Sequence, residues 1–268
     1  MLPKIMVYRD DYTATGLLMG SLKASFPSNQ FEIIRVDLAD LHNGAFGQGR
    51  NIFVLPGIVG EHCKYHRDFR SIMQDYRNFI EQGGVSLNIC AGASTVASRC
   101  SYDTSWGTTK NKTALHPLFN GIAIGPITGY ATKPEHAAIE TALPTIVNTS
   151  IIPVSFKTET GDWQDTHLSY GNGPALLPDN RDDPAMEILA TYHKRDHNAA
   201  ALLRIQIGKG AAYLCGAHPE AYPSEIADRP EYAAIRAINE ALKPHEENRQ
   251  KLWTMLTNRM KKDLHHDI

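Results

Sequence analysis

One cysteine stands where a strand pattern gives way to small residues, and it is the first place this sequence could do chemistry. Gly83-Gly84-Val85-Ser86-Leu87-Asn88-Ile89 reads as a strand running straight into Cys90, with Ala91-Gly92-Ala93 immediately after. A tight strand-to-helix turn needs such neighbours, because the backbone leaves no room for large side chains; this is the geometry of a nucleophile elbow. In an open α/β sheet the turn lifts the thiol to the carboxyl edge, where ligands bind. It also puts the sulfur at a helix N-terminus, whose dipole and free N–H groups favour an anion. The backbone N–H of Ala91 would face a developing oxyanion. A nucleophilic thiol needs a base and an orienting acid. Tyr213-Leu214-Cys215-Gly216-Ala217-His218-Pro219-Glu220 supplies both, with His218 just past a strand pattern. Pro219 keeps that segment extended, so His218 and Glu220 project to one side. If its strand is parallel to the one before Cys90, both side chains emerge at the same edge. Gly57 and Ile58, at the end of Val54-Leu55-Pro56, are the candidates for further backbone donors to the same oxyanion.

Other reactive residue types read as bland. Cys63, Cys100 and Cys215 read as small buried hydrophobes. His62 with His66, and His193 with His197, have the four-residue spacing of helical metal ligands, but no third ligand accompanies either pair. They read as solvated helix faces, and no metal is expected. Gly47-Gln48-Gly49-Arg50 lacks the second half of an adenylate site. Neither a Walker A loop nor a Gly-x-Gly-x-x-Gly before a helix occurs, so no nucleotide or other cofactor is expected.

The elements that must position these residues alternate through the first half. Strand patterns at 4–8, 31–36, 51–55 and 85–89 are separated by helical ones, the clearest carrying Phe69, Ile72, Met73, Tyr76, Phe79 and Ile80. A helix is expected from Ala91 to Ser98. Short joins between alternating elements predict an α/β fold: a mostly parallel, flavodoxin-like sheet with helices on both faces in three layers. From about 102 to 191 the sequence turns rich in Gly, Pro, Thr and Asn, and an irregular β-rich insertion is expected there. Ala199–Ile207 and Ala211–Cys215, joined by Gly208-Lys209-Gly210, predict a hairpin of core strands. Leu252, Leu256 and Met260, with Trp253, predict a C-terminal helix docked on the same domain. The expected division is 1–244 for the α/β domain and 245–268 for the helical extension.

Composition sets the outer bounds. The 268 residues are 42% hydrophobic and 21% charged, ordinary globular usage that excludes disordered, collagenous and coiled-coil proteins. A formal net charge of −2 gives no global drive toward phosphate backbones or anionic membranes. No apolar run approaches the roughly 18 residues of a spanning helix. The first eight residues run into Arg9-Asp10-Asp11 too soon to be a secretory signal. A cytoplasmic protein with free thiols is expected, acting on a small molecule, with neither nucleic acid nor membrane as partner.

Cys90 within Asn88–Ala93, followed far downstream by His218-Pro219-Glu220, resembles the class I glutamine amidotransferase-like superfamily. The match is closest to the branch found at the N-terminus of eukaryotic biotin–protein ligases and as stand-alone bacterial proteins. The stretches that carry it are Pro56-Gly57, Gly83–Ala93, Tyr170-Gly171-Asn172-Gly173-Pro174 and Gly216–Glu220. The resemblance implies the amidotransferase-like version of the three-layer fold and a Cys90, His218, Glu220 triad acting through a thioester. Tyr170, Asn172, Gly173 and Asn88 become candidate pocket residues, and a synthetase or other protein becomes a possible partner. Two departures bear on glutaminase activity more than on fold: Ile58 replaces the second glycine of a Pro-Gly-Gly turn, and Asn88 replaces a smaller residue. Three other readings stay open. One is a non-catalytic binding or regulatory module on the same fold. Another is an esterase of α/β-hydrolase type, in which the acid would precede the histidine. The last is a redox or glyoxalase-like role, which would need a carboxylate from an earlier strand.

Overall fold

The structure, a computed structural model, describes residues 2–11, 13, 15–47, 50–58, 63–103, 109–130, 150–193, 199–220 and 240–265. In chain order the elements begin with β1 (Lys4–Tyr8), α1 (Gly16–Ser25), β2 (Glu32–Val36), α2 (Leu38–His42), β3 (Ile52–Leu55), α3 (Cys63–Asp68), α4 (Met73–Glu81), β4 (Val85–Ile89) and α5 (Ala91–Thr95). They continue through β5 (Ala97–Asp103), β6 (Thr109–Thr113), β7 (Phe119–Gly125), β8 (Ser150–Lys157), β9 (Trp163–Tyr170), β10 (Ala175–Pro178) and β11 (Met186–Tyr192). The described chain closes with β12 (Ala200–Ile207), β13 (Gly210–Cys215) and a long helix, α6 (Glu246–His265).

The strands form one sheet whose main path runs β2-β1-β3-β4-β13-β12-β10-β7-β5-β6. Its first five members are mutually parallel, so their carboxyl ends share one edge. The expected α/β sheet is therefore present, and its parallel part is the part that carries the candidate chemistry. Alternate residues divide between two cores. Ile5, Val7, Leu87 and Tyr213 face one cluster with Leu18 and Leu22 of α1 and Leu256 of α6. Met6, Tyr8, Phe53 and Leu214 face the other, with Tyr65 of α3 and Tyr76 and Phe79 of α4. Central strands covered on both faces must be apolar throughout, and β4 is buried at all five positions.

The β-rich middle is more regular than its composition suggests. β8 alternates buried and part-buried residues and pairs with β9 over eight consecutive positions. The glycines, prolines and asparagines that made the segment look irregular fall largely in the connections; period-2 burial sets the strands themselves. The Gly208–Gly210 turn closes the expected β12–β13 hairpin. The helix expected over Ala91–Ser98 stops at Thr95, and Ala97 already belongs to β5. Two pairings end it. Thr95 Oγ1 donates back to the Ala91 carbonyl. The Val96 carbonyl accepts from the N–H groups of Leu118 and Phe119 at the entry to β7. α6 lays Leu252, Trp253 and Leu256 on the α1 side. It is pinned there by Asp263, which takes both Arg204 nitrogens at 2.6 and 2.8 Å and the Tyr213 hydroxyl at 2.6 Å. Among the described residues, no helix is long and apolar enough to cross a membrane.

Candidate active site

The register of the parallel strands assembles the site. Cys215 pairs with Ile89, so Cys90 lies beside the backbone that leads into His218, and its N–H donates to the Cys215 carbonyl at 2.7 Å. Cys90 sits at φ 55 and ψ −111, a left-handed conformation that non-glycine residues rarely adopt and that tends to mark functional positions. Ser94 N–H closes the first turn of α5 on the Cys90 carbonyl. The N–H groups of Ala91, Gly92 and Ala93 thus have no partner within the helix. A side chain at Gly92 would collide with the Leu55 carbonyl, so glycine lets the elbow pack onto β3.

His218 is fixed from three directions. Its backbone N–H donates to the Ser169 carbonyl at 2.9 Å. Its Nδ1 lies 2.8 Å from Glu220 Oε1, and its ring abuts Cys90 beside Gly57. The Ser21 hydroxyl of α1 donates to the Glu220 carbonyl at 2.7 Å. Burial by itself would lower the His218 pKa. The Glu220 charge and hydrogen bond, with Cys90 alongside, outweigh it and hold the pKa well above 6.5. The arrangement favours an imidazolium between the Cys90 sulfur and a buried carboxylate.

Glycines wall this couple. A β-carbon at Gly57 would stand 3.1 Å from His218 Cε1 and 3.3 Å from Cys90 Cβ. One at Gly171 would stand 3.3 Å from His218 Nε2, and one at Gly173 would stand 3.3 Å from Cys90 Sγ. The thiol donates to the Gly171 carbonyl at 3.5 Å, and Cys90 is 6% exposed.

Of the residues expected from sequence, Cys90, His218, Glu220, Gly57, Ala91 and Gly173 gather at one point. Asn172 holds the adjoining turn at φ 62. Ile58 lies beside Gly57 and forms an isolated bridge with Thr13. Asn88 and Tyr170 do not line an open pocket, and this corrects the expectation. Asn88 is fully buried and faces α4. It accepts from the Tyr76 hydroxyl at 2.7 Å and donates to Ser86 Oγ and the Tyr213 carbonyl. The amide is larger than a tight elbow usually tolerates two residues before its turn, and those partners accommodate it. The Tyr170 hydroxyl is buried between the Gly173 carbonyl and the Ile127 N–H.

Sequence reasoning missed Gly171, Ser169, Ser21 and a charged group at the end of β1. In that group Lys64 bridges Asp10 at 2.8 Å and Asp68 at 2.5 Å. The only available signal was the recurrence of small residues at 169, 171, 173 and 216; nothing in the sequence says which strand ends meet. Cys100 and Cys215 are buried as expected. His66 is not on a solvated face: its Nε2 is buried, and burial lowers its pKa to about 4. His193 bonds Asp165 at 2.8 Å. Its expected companion His197, with His62 and the Gln48-Gly49 pair, lies outside the described residues.

Fold and site together define a mixed-sheet α/β protein that presents an elbow cysteine and a strand-end histidine at the carboxyl edge of five parallel strands. The sequence profile of the biotin-protein ligase N-terminal family matches residues 4–267, and the chain belongs to that family. An uncharacterized protein of Chlamydia muridarum (strain MoPn / Nigg) is 24% identical over 226 residues, 82% of this chain and 81% of the relative. The biotin–protein ligase of Schizosaccharomyces pombe (strain 972 / ATCC 24843) is 26% identical over 203 residues, covering 72% of this chain but 30% of the ligase. Among solved structures, a putative GMP synthase subunit from Thermoplasma acidophilum covers 98% of both chains at 10% identity and a TM-score of 0.47. An exo-β-1,4-mannosidase from Opitutaceae bacterium strain TAV5 covers 96% of this chain and 36% of its own at 12% identity and a TM-score of 0.43.

Proposed function

We propose that the chain is a cysteine-dependent hydrolase or amidase of glutamine amidotransferase-like type. The observation that carries the reading is the convergence of Cys90, His218 and Glu220, with His218 hydrogen-bonded to Glu220 and its ring beside Cys90. The Cys90 sulfur attacks a carboxamide or related acyl carbon, and its proton resides on His218 Nε2. The Ala91 N–H and the Gly57/Ile58 turn stabilise the oxyanion. The C–N bond breaks as His218 protonates the leaving amine, and water then cleaves the thioester, returning the proton to the couple. Glu220 holds the ring through Nδ1 and sustains its positive charge. A family named for the N-terminal part of biotin–protein ligases, and a named ligase of which the match covers 30%, support a synthetase or other protein partner that uses the product. The substrate is a small molecule, and a cytoplasmic setting fits free thiols.

The test is the pH dependence of Cys90 alkylation by iodoacetamide, followed by peptide mass spectrometry in the full chain. The wild type should react at about pH 6.5, and His218→Ala should lose about tenfold or more of that rate. Equal rates in the two proteins, or an inert Cys90, would sink the catalytic reading. They would favour a binding or regulatory module, to which the low exposure of Cys90 also lends support.

A further inference from the structure

Two buried tyrosines hold the turn that closes over the thiol. The Tyr170 hydroxyl donates to the Gly173 carbonyl at 2.6 Å and accepts from Ile127 N–H at 2.7 Å. The Tyr192 hydroxyl donates to the next carbonyl, Pro174, at 3.1 Å. Tyr170 is 0% and Tyr192 6% exposed, so neither hydroxyl has ready access to water as an alternative partner. Gly216 would carry a side chain straight into the Tyr192 hydroxyl and the Pro174 carbonyl, and Gly173 packs against the Gly216 carbonyl in the same way. The 171–174 turn is therefore fixed against both the clamp and the segment leading to His218. Its other side meets the thiol, through the Gly171 carbonyl 3.5 Å from Sγ. Gly57 lies against the same cysteine. Among the described residues, the sulfur is bordered by backbone at the Gly171 carbonyl and at Gly57, with the His218 ring beside it.

We propose that Tyr170 and Tyr192 are positioning residues that clamp the 171–174 turn and so restrict the site to acyl groups whose carbon next to the reacting carbonyl is unbranched. The substrate class rests on the reading of Cys90 as the reacting atom. A branch methyl at that carbon would meet the turn or Gly57, and rigid packing makes an extra methyl costly. The clamp acts at a distance, through the turn, and neither hydroxyl touches the reacting atoms.

The experiment compares Cys90 acylation by p-nitrophenyl propionate and by its α-methyl homologue p-nitrophenyl isobutyrate, each rate divided by that of glutathione. The full-length wild type should disfavour the branched reagent by about tenfold beyond glutathione, the scale of one extra methyl in a tight site. Tyr170→Phe and Tyr192→Phe should each remove most of that discrimination while Cys90 still reacts. Tyr213→Phe removes a buried hydroxyl bonded to Asp263 and should keep the wild-type ratio despite lowering stability. Phenylalanine variants that retain the wild-type ratio, or a Tyr213→Phe ratio shifted as far as theirs, would overturn the clamp. If the variants do not fold, a wild-type ratio equal to that of glutathione still overturns the slot. The size ratio is read independently of the His218→Ala comparison, so failure of the catalytic reading and failure of the clamp are separate results.

Discussion

The chemistry of the couple is decided within a few ångströms, at His218. Its raised pKa means that the folded state binds a proton more tightly than the unfolded chain does. That contribution is fully present below about 6.5, the unfolded value, and is lost as pH rises through the folded value. Removing the Glu220 charge should shift the titration down: the His218 ring resonances of Glu220→Gln should titrate at lower pH than in wild type by NMR, and an unchanged midpoint would exclude Glu220 as the partner. Gly57→Ala tests the wall directly. Its new methyl would crowd His218 Cε1 at 3.1 Å, and the displaced ring should slow Cys90 alkylation at about pH 6.5 by about tenfold. Cys90, His218 and Glu220 were legible in the sequence because each belongs to a local pattern: a strand stop with small residues after it, and a His-Pro-Glu run. The Gly171 carbonyl was not, because a backbone acceptor has no residue-type signature.

Elements present these residues only if the strands beneath them hold register, and buried polar groups fix that register in β4 and β13. Asn88 ties β4 to α4 through Tyr76 and to β13 through the Tyr213 carbonyl. Asn88→Ala would leave both groups buried without their partner, at a cost of about 2 kcal/mol or more, measurable by urea denaturation. A smaller cost would mean that water or a neighbour replaces the amide. The lock on α6 is of the same kind. Asp263→Ala strands the Arg204 guanidinium and the Tyr213 hydroxyl and should cost about 3 kcal/mol, with hydrogen exchange rising first in α6. Amphipathic spacing announced α4 and α6 plainly. The early end of α5 was hidden, because the Val96 carbonyl pairs with N–H groups at the entry to β7, far along the chain.

Across the whole molecule, histidines pull stability in opposite directions with pH. Burial lowers the pKa of His66 to about 4. His167 is also lowered, first by burial and then by the charges of His245 and His193; its ring packs tilted at 33° against that of His245 with centroids 3.9 Å apart. For both, the unfolded chain binds protons at higher pH than the fold does, so stability falls as pH drops below about 6.5, in the case of His66 down to about 4. The melting temperature should decline through that window, and His66→Gln should flatten part of the decline. A wild-type melting temperature constant from pH 7 to 4.5 would contradict the assignment. His218 works against this trend, since its contribution is retained in acid.

The alternation of strands and helices, the elbow at Cys90 and the pairing of His218 with Glu220 are written in local sequence. These follow from contacts within a few residues, where periodicity and turn stereochemistry are read directly. That β13 lies beside β4 and that β9 ends against His218 emerge from long-range packing alone. So does the placing of Tyr170 against a turn and of Asn88 in a core, where local pattern suggests pocket walls. Strand neighbours are chosen by which apolar faces must be covered and which buried polar groups must find partners, and those requirements are met between residues far apart in the chain.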